Sequence, residues 1–85
     1  MSNIQRTRVL NELADAARRA DVAALVNVGA EDLQRVVNTL RAQGNGPNDL
    51  EALRAVAIVQ HVMGDTSGAQ WTERRIQALA TELKC

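Results

Sequence analysis

Along this chain apolar residues recur at spacings of three and four, and nowhere is the two-residue alternation of a strand sustained. The pattern predicts helices throughout. The first is expected to start after Ser2 or Asn3, both good N-cap residues, and to run to about Ala20, with a stripe of Val9, Leu10, Leu13, Ala16, Ala17 and Ala20. Arg8 with Glu12, and Asp15 with Arg18 and Arg19, stand at spacings that place opposite charges together on its outer face. Asp21 is placed to cap a second, short helix from Val22 to Val28. Equally, one long helix could continue to Gly29, and the pattern allows both. Asn27, Val28 and Gly29 then offer a turn, because Asn and Gly tolerate left-handed backbone.

The next helix, about Ala30 to Gln43, has the cleanest stripe: Leu33, Val36, Val37 and Leu40. Glu31 and Asp32 fall in its first turn, where the helix dipole favours negative charge, and Gly44 ends it. Gly44-Asn45-Gly46-Pro47-Asn48 is the strongest loop signal, and Asn48 with Glu51 resembles a capping box opening a helix from Asp49 to Met63. That helix carries Leu50, Leu53, Val56, Ala57, Ile58, Val59, Val62 and Met63, apolar nearly all round its second half, which predicts burial on more than one side. Gly64 stops it. A last helix is expected from Ser67 or Gly68 to Leu83, with a stripe of Thr72, Ile76, Leu79, Ala80 and Leu83. The expected fold is all-α, a small bundle of four to five short helices in a single domain spanning residues 1–85, with room for a helix-turn-helix-like tri-helical core.

Composition changes this picture in one respect. Of 85 residues 46% are apolar, ordinary for a folded chain, yet there is one Trp and no Phe or Tyr. A core of Leu, Val, Ile and Ala gains less from collapse than one with rings. A chain this short also buries only about 60–65% of the surface that it exposes when unfolded. Small helical chains in that position often gain stability by associating, which inclines the expectation toward oligomers. Ten basic and ten acidic residues cancel, so no overall field draws in nucleic acid or an anionic membrane. Cys85 is the only cysteine, which excludes an internal disulfide. No apolar segment follows the first charges as in a secretory signal, and no apolar run is longer than that of Ala55 to Val59, far too short to span a bilayer. The cytoplasm is the expected compartment.

Residues 22–37, from Val22-Ala23-Ala24-Leu25-Val26-Asn27 to Gln34-Arg35-Val36-Val37, carry a small residue, a turn residue, a branched residue and two anchoring apolar residues at Ala23, Asn27, Val28, Leu33 and Val36. In those spacings the segment resembles the helix-turn-helix of bacterial DNA-binding domains. The resemblance covers about a quarter of the chain and implies a recognition helix with Gln34, Arg35, Asn38 and Arg41 as its contacts. It departs from the pattern in having Asn27 where Gly is usual, and in placing Glu31 and Asp32 where phosphate would approach. Gly64-Asp65-Thr66-Ser67-Gly68-Ala69 is similar to the turn inside a tetratricopeptide hairpin. With no second copy, that similarity implies a helical hairpin and nothing further.

Catalytic machinery is not indicated. His61 is the only histidine, and the acidic residues stand singly or beside arginines, so no metal or cofactor is expected. Ser2 and Ser67 occupy terminal and capping positions, Cys85 lacks a positioned base, and Gly44-Asn45-Gly46-Pro47 lacks the lysine of a phosphate loop. On the most apolar helix, His61 reads as a partly buried histidine bonded to a neighbour, or as a pH-sensitive contact at an interface. Trp71 falls off the stripe of the last helix with Arg75 one turn on, a pairing that suits either a cap on the bundle or a binding hot spot. These features lead to the expectation of a protein–protein interaction module: an assembly subunit, adaptor or chaperone-like accessory factor that packs helix faces against itself or a helical partner. The expected interface residues are Val59, His61, Val62, Met63, Trp71 and Arg75. The alternative is a dimeric helix-turn-helix regulator that contacts DNA through residues 22–41.

Overall fold

The computed structural model describes residues 3–44 and 49–84. In chain order these form α1 (Asn3–Arg18), a single 3-10 turn (Val22–Ala24), α2 (Ala30–Gln43), α3 (Leu50–Met63) and α4 (Thr66–Lys84). The fold is the expected all-helical bundle. Ser2 as an N-cap, the loop residues 45–48 with the capping box at Asn48, the burial of Leu83, and Cys85 lie outside the described residues.

How α1 ends was the open question, and neither expected alternative is what forms. The Ala20 N–H donates to the Ala17 carbonyl at 3.0 Å and the Asp21 N–H to the Ala16 carbonyl at 2.8 Å. This is the paired closure of a Schellman motif, with Ala20 in the left-handed region at φ 58°. The chain therefore leaves the α1 axis, and residues 22–24 make one 3-10 turn, which drops Leu25 into the core as a fully buried side chain. The first helix of the helix-turn-helix resemblance is thus reduced to a single turn. Of its five marked positions, Leu33 and Val36 are buried and Val28 half-buried, while Ala23 and Asn27 face solvent.

Leu10, Leu13, Ala14 and Ala17 form the inward face of α1, at the i, i+3, i+4, i+7 spacing of one helix side. Val9 and Ala20, expected in that stripe, point outward. Arg18 reaches across to Glu51 of α3 at 3.0 Å in place of the expected partner on its own helix. On α2 the whole expected stripe, Leu33, Val36, Val37 and Leu40, is buried. The core joins these to Leu25 and to Ala55, Val56 and Val59 of α3.

Central in the bundle is α3, which packs against α1, α2 and α4 and so accounts for its all-round apolar character. It starts at Asp49, whose carboxylate accepts the Ala52 N–H at 3.2 Å as an N-cap. A second Schellman closure ends it, with Gly64 N–H on the His61 carbonyl and Asp65 N–H on the Gln60 carbonyl. Here φ is +80°, a conformation that costs glycine nothing. Asp65 then caps α4 by accepting the Gly68 N–H at 3.0 Å, which moves the start of that helix one residue ahead of the expected Ser67. A Cβ at position 68 would lie 2.3 Å from the Asp65 carboxylate, so a residue without one is what this cap accommodates.

Overall the molecule measures 47 × 24 × 18 Å. Its shortest dimension is under two helix diameters of about 10–12 Å, so helices other than α3 keep a wide face in solvent. This holds most for α4, which packs principally on α3.

Candidate functional site

A helix that docks along one seam leaves a flank on either side. Thr72 sits on the seam of α4, fully buried, with its hydroxyl donating to the Gln60 side-chain carbonyl of α3 at 2.6 Å and 2.9 Å from the Gly68 carbonyl. Successive residues turn by about 100° in a helix, so Trp71 and Glu73 fall on opposite flanks of that seam.

On the Trp71 flank lies a groove of about 480 Å³ lined by Arg41, Asp49, Ala52, Leu53, Val56, Trp71 and Arg75. Three helices build it. Asp49, Ala52, Leu53 and Val56 share one face of α3 at helical spacing, Trp71 and Arg75 lie one turn apart on α4, and Arg41 comes from the last turn of α2. Ala52 and Val56 are the buried floor, Leu53 and Arg75 the half-buried walls, and Arg41 and Trp71 the exposed rim. Trp71, the largest side chain in the protein, is 63% exposed, more than any other large apolar residue among those described. Exposed apolar rings of this size, set beside a concave apolar surface, are characteristic of binding sites.

A shallower second groove of about 400 Å³ is lined by Val22 and Val26 of the 3-10 region and by Ile58, His61 and Val62 of α3. Counted at about 100° per residue, these α3 positions lie on the face opposite to that of Ala52 and Val56. Val22 and Val26 are 44% and 57% exposed. The His61 imidazole is exposed and paired through Nε2 with the Glu73 carboxylate. That corrects the expectation of a partly buried histidine, though not of a bonded one.

The six expected interface residues therefore do not form one surface. Trp71 and Arg75 line the first groove and His61 and Val62 the second, while Met63 is half-buried and packed on the core. Val59 is a correction: at 0% exposure it is interior packing, because a helix that presents His61 to solvent turns Val59 by about 200° away from it. On α2, Gln34 and Asn38 are exposed and hydrogen-bonded to each other at 3.4 Å, whereas Arg35 is held by Asp32 at 2.8 Å. Arg41, expected only as a DNA contact, instead contributes to the first groove. Asp49, Leu53, Val22 and Val26 were not anticipated as surface elements, since only the fold brings them to a rim.

Among the described residues there is no group of three or more His, Cys, Asp or Glu placed to hold a metal ion, and no helix long and apolar enough to cross a membrane. No known family matches the chain, and neither does any curated protein or solved structure.

Proposed function

We propose that this protein is a protein–protein interaction module, an assembly subunit or adaptor that works in the cytoplasm by packing helix faces and performs no covalent chemistry. One observation carries the reading: the only aromatic residue of the chain is held 63% exposed at the edge of an apolar groove. A short chain with so little ring area gains most by burying its one Trp, and leaving it outside forgoes that stabilisation unless something else covers it. The second groove, with Val22 and Val26 exposed above Ile58 and Val62, supports the same reading from the opposite side of α3.

The test combines mass and capture. Light scattering over a concentration series reads self-association. Tagged wild-type protein and Trp71→Ser are compared quantitatively for what each retains from the source cells. Because Trp71 is mostly solvated, the variant keeps its helical circular dichroism. The reading predicts either a mass that rises with concentration or a partner retained by wild type and lost by Trp71→Ser. A monomer at every concentration, with identical sets retained by both proteins, would overturn it.

DNA binding stands second. It is favoured by Gln34, Asn38 and Arg41, which share an exposed side of α2 at i, i+4, i+7 spacing. Arg35, occupied by Asp32, weighs against it, as do the exposed Glu31 and Asp32 at the helix start. A gel shift on random duplex at low salt, weakened by Arg41→Ala, is the expected result under this second reading, and absence of any shift removes it.

A further inference from the structure

We propose that α4 is an exchangeable helix: the α3–α4 turn opens at Gly64, and α4 of each copy docks on α3 of a second copy in a reciprocal dimer. This names a second copy of the chain as the partner in the interaction-module reading, and it rests on that reading. Where α4 is anchored is the first support. Among the described residues, α4 contributes none to the contiguous aliphatic cluster that joins Leu25, Leu33, Val36, Leu40 and Val59, and it packs principally on α3. Lifting α4 away leaves that cluster assembled.

The bonds across the seam are also easily exchanged. The Thr72 hydroxyl has one proton and two acceptors in reach, Gln60 Oε1 at 2.6 Å and the Gly68 carbonyl of its own helix at 2.9 Å. Off α3 it donates to Gly68, an ordinary bond for a helical threonine, while the Gln60 amide meets water. The His61–Glu73 pair is solvated and gives way at little cost.

The turn supplies the hinge. Only Gly64 and Asp65 separate α3 from α4, and the chain reverses at Gly64 with φ +80°. Turning that one φ negative lets α3 run on into α4 as a single helix. The Gly68 N–H, held by the Asp65 carboxylate in the hairpin, then bonds the carbonyl of Gly64 four residues back. A straight helix cannot fold α4 onto its own α3, so the uncovered α3 face is refilled by α4 of a second straightened copy. The seam re-forms between chains with the same residues, Thr72 on Gln60 among them, which is why such exchange is a low-cost route to a dimer. Glycine at this position keeps the two forms close in free energy, since it takes the positive φ without steric penalty and weakens the straight helix.

Light scattering of the full chain over a concentration series tests this, read beside the emission of Trp71, the sole aromatic residue. Wild-type mass is expected to rise from monomer toward dimer. A Cβ at position 64 meets nothing within 4 Å, so Gly64→Ala acts through the backbone alone, disfavouring the turn and favouring the straight helix. At about tenfold per hinge, and with two hinges in each dimer, its association constant should rise about a hundredfold. Gly64→Asn, which tolerates left-handed backbone, should raise it far less. Gly29→Ala adds the same methyl in open space at φ −67° and should leave the mass curve of wild type unchanged. Because the seam re-forms, Trp71 meets the same groove, and its emission should be alike in monomer and dimer. A rise in mass joined to a blue shift of Trp71 would make the groove itself the interface, overturning exchange and leaving the module reading standing. Gly64→Ala no more dimeric than Gly29→Ala has the same consequence. A wild type that is monomeric at every concentration also overturns exchange. The module reading then survives if Trp71→Ser loses a captured partner, and falls as well if it does not.

Discussion

Two halves of this molecule are held by different chemistry. Between α1, α2 and α3 the packing is made by Leu25, Leu33, Val36, Val37, Leu40, Val56 and Val59, all essentially inaccessible to water. On the α4 side the buried groups are mostly small or polar: Ala69 and Thr72 lie beside Leu79 on α4, and Thr72 is bonded to the buried Gln60 of α3. Aliphatic burial scales with area and tolerates small misfits, whereas a buried hydroxyl–amide pair works only in one register. The first half thus supplies stability. The second supplies alignment, and it leaves the flanks of α4 open, where the Trp71 groove and the His61–Glu73 pair are found.

The largest effect should come from the aliphatic half. Leu33→Ala is expected to cost about 2–5 kcal/mol, out of a total of roughly 4–13 kcal/mol for a chain of this length, and to lower the urea midpoint read by circular dichroism. If the two halves unfold together, Trp71 fluorescence on α4 must track the same shifted curve. A Trp71 transition that stays at its wild-type midpoint would show that α4 detaches separately. Next comes Thr72→Val, which strips the buried Gln60 amide of its partner and should cost about 1–3 kcal/mol. Hydrogen exchange should then accelerate along α4 more than along α2. The double variant Gln60→Leu/Thr72→Val should recover most of the loss, and no recovery would mean that Gln60 matters for something other than this bond.

The two Schellman ends sharpen the contrast on a smaller scale. Gly64 at φ 80° is a residue suited to its backbone, and Ala20 at φ 58° is not. Gly64→Ala should destabilise by about 1–2 kcal/mol and Ala20→Gly should stabilise by up to about 1 kcal/mol, opposite signs at two copies of one geometry. Thermal melts of the pair check this, and equal signs would refute the comparison. Smallest of all is Glu73→Gln. The His61–Glu73 pair is solvated on both sides, and its loss should move stability by no more than about 0–1 kcal/mol in denaturant titrations.

Legibility in the amino-acid sequence runs along the same division. The α2 stripe was legible to the residue because four aliphatic positions at helical spacing leave one face to bury. The crowded second half of α3 announced neighbours on several sides, and it has three. Trp71 with Arg75 stood out as a rare residue beside a cation at i+4. The end of α1 was illegible, since Ala20 is a helix former held in a left-handed turn by the Schellman closure around it. The site was legible in part only. Arg41, Asp49 and Trp71 are far apart along the chain and carry no shared local signal, and Val59 was grouped with His61 although helical rotation sends them to different sides.

The amino-acid sequence alone determined that this chain is helical, where most helices lie and which faces turn inward, because periodicity and turn residues act over a few positions. Only the tertiary structure decided how α4 sits on α3, which apolar residues stay outside, and that an arginine of α2 meets a tryptophan of α4 across an open groove. Those outcomes depend on the relative placement of whole helices. That placement is set by the summed packing of many side chains, and no short stretch of residues encodes it.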